Sequence, residues 1–330
     1  MSNATIYDVA GKAEVSLATV SRVLNNPEKV NEATRNKVLK VIKELGYRPN
    51  AIARGLASHK TTTVGIMLSD VTRASTSQLL GGIIDIAKKY SYSIKIFSMG
   101  GENDVNDSIR DVVAEQVDGI LLLNDELDTK QMNIIKEHAS NANIPLVLTN
   151  VISDDPELAS VAIDYFKASY DITNELIEQG RKDIYLLSTV TKYSVNSLKE
   201  AGYIKALEEH NMKSKVFRTS GDLSINTPHF EEYFETHKVD AAIAVRDSIA
   251  VSFMNVMIDK GHKVPDEIAV CGYQNTKYAL LARPRLGCID TPVYDIGAVA
   301  MRLLTKLIKG EKVDNIKIVL PYKVIRRESF

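Results

Sequence analysis

The first forty-five residues carry apolar positions at helical spacing in three short bursts. Ile6, Val9, Ala10 and Ala13 share one face of a first helix, with Thr5 as its N-cap and Asp8 in its first turn, where an acid suits the helix dipole. Glu14-Val15-Ser16 interrupts the pattern. Ser16 then caps a second helix, Leu17 to Leu24, whose Val20, Val23 and Leu24 point one way before Asn25-Asn26-Pro27 stops it. Asn31 caps a third, Glu32 to Leu45, with Val38, Val41, Ile42 and Leu45 apolar and Gly46 as its stop. Residues 50–58, after Pro49, read as an Ala-rich helix too short to be stable alone in water.

After Lys60 the period changes. Short apolar runs at Val64–Leu68, Ser93–Ser98, Gly119–Leu123, Leu146–Asn150, Ile184–Ser188, Ala241–Val245 and Ile268–Gly272 predict strands. Amphipathic stretches at 77–90, 104–116, 129–140, 167–179, 198–211 and 247–261 predict the helices between them. Repeated βα units imply parallel sheets covered on both faces, and the set is too long for one comfortable sheet. The fold class is therefore α/β: an all-α head followed by two doubly wound lobes.

Two short helices joined by a three-residue turn and backed by a third form a helix-turn-helix unit. On its second helix Leu17, Ala18, Ser21 and Arg22 are left facing outward. An arginine there can donate two hydrogen bonds to guanine, and Leu17 and Ala18 can touch a thymine methyl. Ser16, Thr19 and Asn25 are of the type that contacts phosphate. Three short helices also describe an ordinary bundle; the turn, the small outward residues and the charge together favour a DNA reader.

Net charge is -1 for the 330 residues, but it is unevenly placed. Residues 1–60 hold ten Lys and Arg against five Asp and Glu, a net +5, leaving -6 for the rest. A basic end on an acidic body fits a polyanion partner or a solvated helical surface. Cys271 and Cys288, without CxxC spacing, give no disulfide framework or zinc site. The lack of a long apolar run or an apolar leader predicts a cytoplasmic chain with no membrane partner. No strand is followed by GxGxxG or GxxxxGK[ST], and no serine elbow or HExxH occurs. The six histidines are scattered. No cofactor and no catalytic residue is expected; an enzyme or a free solute-binding protein is the remote alternative.

Thr5-Ile6-Tyr7-Asp8-Val9-Ala10, Val15-Ser16-x-Ala18-Thr19-Val20-Ser21-Arg22-Val23-Leu24-Asn25 and Gly46-Tyr47-Arg48-Pro49-Asn50-Ala51-x-Ala53-Arg54 closely resemble the head of the LacI/GalR family. The resemblance implies a homodimer on pseudo-palindromic double-stranded operator DNA, with the second helix in the major groove. It adds Thr5, Tyr7, Tyr47, Asn50 and Ala53 to the DNA-contacting set and makes Leu56 a minor-groove wedge. It also implies a periplasmic-binding-protein-like core with a small ligand between the lobes. The domains are then 1–48 (head), 49–60 (hinge), 61–160 with 291–319 (N-terminal lobe) and 161–290 with 320–330 (C-terminal lobe).

The cleft departs from sugar-sensing members of that family. Ser69–Thr76, with Ser75, offers no ring, and Asn196 stands where the ungapped alignment expects arginine. Asp247 is kept, but Arg246 replaces a smaller polar residue and Gln274 an aspartate. Losing the stacking surface and the forked donor together weakens sugar binding. A different small-molecule effector using Ser75, Asn196, Arg246, Asp247 and Gln274 remains an alternative. Tyr294–Leu307 is similar, almost residue for residue, to the carbon-catabolite-control members of the family, whose corepressor is the serine-phosphorylated phosphocarrier protein HPr. That resemblance implies a mainly repressing regulator of carbohydrate genes, with Asp295, Arg302 and Lys306 contacting HPr. Arg302 and Lys306 form an i, i+4 pair suited to a phosphoserine, or simply a solvated helix face.

Overall fold

A computed structural model describes residues 4–47, 61–99, 105–123, 127–153, 155–190 and 193–330. The chain divides into two compact units, Met1–Thr61 and Thr62–Phe330.

In the first unit, α1 (Ile6–Ala13) opens with a capping box in which Thr5 and Asp8 satisfy each other's backbone N–H. It ends at Glu14 in the left-handed region, φ 52°. α2 (Leu17–Asn25) starts where the Thr19 N–H donates to Ser16 Oγ at 3.1 Å, and it runs one residue beyond the expected Leu24. A 3₁₀ turn at Pro27–Lys29, not anticipated, leads to α3 (Glu32–Leu45), capped by Asn31 and stopped by Gly46 at φ 61°. Val9, Ala10, Ala13, Val20, Val23, Val38 and Val41 are buried between the helices, with Ile6, Leu24, Leu45 and Tyr47 packed around them. Exposed ion pairs Lys12–Glu44 and Lys37–Glu14 tie α1 to α3 and add little to stability.

The second unit holds two six-stranded sheets. The first contains β1 (Thr63–Leu68), β2 (Ser93–Ser98), β3 (Gly119–Leu123), β4 (Leu146–Thr149), β5 (Ala159–Ala162) and β11 (Lys317–Val319), ordered β11-β5-β4-β3-β1-β2 and parallel throughout. The second contains β6 (Ile184–Thr189), β7 (Val216–Thr219), β8 (Ala241–Ala244), β9 (Ala269–Tyr273), β10 (Gly287–Asp290) and β12 (Lys323–Ile325), ordered β12-β10-β9-β8-β6-β7, with only β12 antiparallel. The central strands β3, β4, β6, β8 and β9 are buried almost end to end, which is why they read as continuous apolar runs.

The helices are α4 (Ala74–Lys89), α5 (Val105–Ala114), α6 (Thr129–Asn141), α7 (Tyr165–Glu178), α8 (Ser194–Glu209), α9 (Leu223–Tyr233), α10 (Asp247–Asp259), α11 (Lys277–Leu281) and α12 (Val293–Ile308). The chain passes from the first sheet to the second after β5, just beyond the 160/161 boundary read from the sequence, because β5 completes its pairing with β4 and β11 first. It returns through α12 and passes back between β11 and β12.

α12 lies directly against α4. A Cβ on Gly297 would fall 2.2 Å from the Leu79 carbonyl oxygen, and one on Gly82 would fall 2.0 Å from that of Tyr294. Only glycine admits backbones this close. The Tyr294 hydroxyl donates to Asp85 at 2.6 Å and fixes the start of α12.

Candidate functional site

On α2, Ser16, Leu17, Ala18, Ser21 and Arg22 are exposed, while Val20 and Val23 turn into the head core. Helical period alone makes this division. Thr19 is half-buried, its hydroxyl 2.9 Å from that of Ser16. Tyr7 is exposed, Tyr47 is half-buried against the head core, and the Thr5 hydroxyl donates to Asp8 at 2.8 Å within the capping box. Asn50, Ala53 and Leu56, with the hinge 49–60 apart from its flank, lie outside the described residues, as does the side chain of Asn25. The head thus presents one forked cation, small side chains and one large aromatic from a rigid helical pair. Such a surface can read base edges in a groove.

In the second unit the carboxyl ends of the strands of both sheets converge on one pocket of about 220 Å³. This is where open α/β sheets bind ligands. Ser75, Asn196, Arg246, Asp247 and Gln274 all stand on its wall. Ser75 sits in the first turn of α4, and Asn196, on α8, donates to Thr189 Oγ1 at 2.9 Å. Gln274 follows β9 with φ 85°, a strained conformation for a side-chain-bearing residue.

Asp247 opens α10 and is 2% exposed. Its Oδ2 accepts from the Thr276 N–H at 2.6 Å and the Thr276 hydroxyl at 2.8 Å. Its Oδ1 accepts no hydrogen bond and lies where a side chain at Gly272 would begin, 2.6 Å from that Cβ position. Burial pushes its carboxyl up to about 6, against the hydrogen bonds from Thr276 and the charges of Lys199 and Arg327.

Lys199 was missed by the sequence reading. One helical turn after Asn196, it is 2% exposed and lines the same pocket. Its Nζ donates to the Val245 carbonyl at 3.0 Å and lies 4.4 Å from the Tyr273 ring and 5.1 Å from that of Tyr165. The expectation that Asn196 leaves this segment without a cation is therefore corrected. Lys199 supplies one as a point charge rather than a fork. Asp70, Arg73, Thr276 and Tyr278 also line the pocket, and Tyr278 gives it a ring from α11 rather than from the segment after β1.

On α12, Asp295, Arg302 and Lys306 are exposed, while Ile296, Met301, Leu303 and Leu304 are buried. Spacings of seven and four put the three charged groups on one face. Arg302 and Lys306 pair with no acidic side chain among the described residues. Among the described residues no cluster of His, Cys, Asp and Glu could hold a metal, and no helix is long and apolar enough to cross a membrane.

A helix-turn-helix head on a two-lobed core with a cleft at its strand ends defines a DNA-binding transcription regulator. The chain belongs to the lacI family of bacterial regulatory proteins, which matches residues 5–50, while a periplasmic binding protein-like domain matches 173–330. It is 38% identical to catabolite control protein A of Priestia megaterium over 99% of both chains, and 38% identical to that of Staphylococcus aureus strain Mu50 over 97% of both. Among solved structures, the transcription regulator CcpA of Lactococcus lactis superposes with a TM-score of 0.70 at 33% identity, covering 81% of this chain and 98% of that one. The lac repressor dimer bound to operator and the anti-inducer ONPF superposes at 0.90 over 99% of both chains; at 24% identity this shows the shared fold.

Proposed function

We propose that the protein is a homodimeric, mainly repressing regulator of carbohydrate genes that binds a pseudo-palindromic operator and is controlled by serine-phosphorylated HPr. The observation that carries this reading is the α12 face. Arg302 and Lys306 stand exposed one turn apart with Asp295 on the same side, in a chain that is 38% identical along its length to catabolite control protein A. Two neighbouring cations suit the dianionic phosphate of a phosphoserine, and arginine offers the bidentate geometry. Exposed Ile225, Leu280 and Leu281 on the other lobe support pairing with a second copy. Docking shifts operator affinity only if HPr binds the DNA-competent arrangement better than the alternative. In the test, phosphorylated HPr tightens operator binding, unphosphorylated HPr does not, and Arg302→Ala abolishes the gain. Operator affinity indifferent to phosphorylated HPr refutes the proposal.

A second reading, a small-molecule effector in the cleft, draws on the convergence of Ser75, Asn196, Arg246, Asp247 and Gln274 on one pocket and on the unpartnered Oδ1 of Asp247. A thermal-shift screen of sugars, sugar phosphates and nucleobases separates the two readings. A cleft ligand raises Tm by mass action, and Asp247→Ala removes the shift.

A further inference from the structure

The two sides of the cleft carry charges that match. On the first-sheet side, Asp70 follows β1; its Oδ1 accepts from the Thr72 N–H at 2.7 Å and the Thr72 hydroxyl at 2.6 Å. Arg73, the N-cap of α4, brings its Nε to 3.5 Å from Asp70 Oδ2. On the second-sheet side, Arg246 closes the strand end of β8 and precedes α10.

The Arg246 guanidinium does not point to bulk solvent. Its carbon lies 5.9 Å from the centroid of the Tyr193 ring, and one of its nitrogens is 2.9 Å from the position a Cβ on Gly221 would take. Gly221, at φ 86°, leaves room for the guanidinium, and any side chain there would displace it. Asp70, Arg73, Gly221 and Arg246 all line the same pocket. Burial pushes the Asp70 carboxyl up, yet the Thr72 hydrogen bonds and the charges of Arg73 and Arg246 outweigh it and hold the group below the ordinary carboxylate range. The field of Arg246 thus reaches an acid carried by the opposite sheet.

We propose that Arg246 is a built-in occupant of the cleft, pairing across it with Asp70 so that the two lobes are latched by the chain's own charges. The latch is independent of which effector controls the protein. Its consequence for selectivity is direct. A tethered guanidinium is present at high effective concentration, and a neutral ligand entering the pocket must displace it without replacing its charge. Asp70 serves as the internal anion between two arginines, one from each side.

A double-mutant cycle on the full-length protein tests the latch, using thermal melts of the parent, Asp70→Asn, Arg246→Gln and the double variant at low and at about 1 M salt. At low salt each single change lowers Tm by about 2–4 °C, the double change lowers it no further than the larger single one, and the coupling fades in high salt. Losses that add in the double variant, or a coupling that survives 1 M salt unchanged, overturn the proposal. Should Arg246→Gln fail to fold, the same cycle with Arg246→Lys decides: a weaker but measurable coupling supports the latch, and zero coupling refutes it. A parallel cycle between Asp70 and Arg73 on the same side separates the local pair from the one that crosses the cleft.

Discussion

On α2 the outward residues Leu17, Ala18 and Arg22 lie in solvent on a helix whose fold depends on Val20 and Val23 behind them. In the cleft, Asp247 and Lys199 are buried, and the protein itself supplies most of their partners: Thr276 for the acid, the Val245 carbonyl and two tyrosine rings for the lysine. The head keeps its reading groups outside its packing, so they can be changed without unfolding it. The cleft builds its polar groups into the core, so chemistry and stability are coupled there.

The strongest challenge to that contrast is Gly297→Val, far from both sites. With the Leu79 carbonyl 2.2 Å from the new Cβ, α12 must move off α4, at a cost of about 3 kcal/mol or more. Calorimetry should show the core destabilised by that amount while the helical signal of the head persists. Next comes Asp247→Asn. Because the folded protein holds the Asp247 proton up to about pH 6, against an ordinary 3.8, the folded state binds it more tightly than the unfolded state does. Stability is therefore greatest below about pH 4 on this account, and it declines as pH rises through 6, by about 3 kcal/mol in all. The asparagine variant lacks that decline, so its Tm relative to the parent rises between pH 4 and 7. Curves that stay parallel would show that Asp247 ionises as freely as an exposed acid.

Smaller effects belong to the head. Arg22→Ala should cost roughly 1–3 kcal/mol of discrimination at one base in each half-site, measured by competition between duplexes differing at that base, and leave Tm nearly unchanged. Uniform weakening on all duplexes would make Arg22 a phosphate contact. Ser16→Ala should remove the cap of α2 and destabilise the head by about 1 kcal/mol in a thermal melt.

The same contrast explains what could be read from the chain. α1, α2 and α3 follow from caps and periods a few residues long, so Thr5, Ser16, Asn31 and Gly46 mark their ends legibly. The long buried strands were legible for the same reason. β5 (Ala-Ser-Val-Ala), β10 (Gly-Cys-Ile-Asp) and β11 (Lys-Ile-Val) were not, because they are three or four residues long and become strands only by pairing with distant partners. α9 was hidden by Pro228 inside it. α8 was expected at 198–211 and begins at Ser194, because its first turn carries the polar Ser194, Asn196 and Ser197. In the cleft, Asn196, Arg246, Asp247 and Gln274 stood out through the family pattern, and the structure brings them to one pocket. Lys199 looked like any helical surface lysine; only the tertiary approach of Tyr165 and Tyr273 makes it a buried cation.

Whether the exposed face of α2 reads DNA is tested most directly by selection of duplexes from a random pool with the intact protein. The account predicts enrichment of a two-fold symmetric site, with Arg22→Ala relaxing one base in each half. A pool that stays random, with or without phosphorylated HPr present, would contradict it.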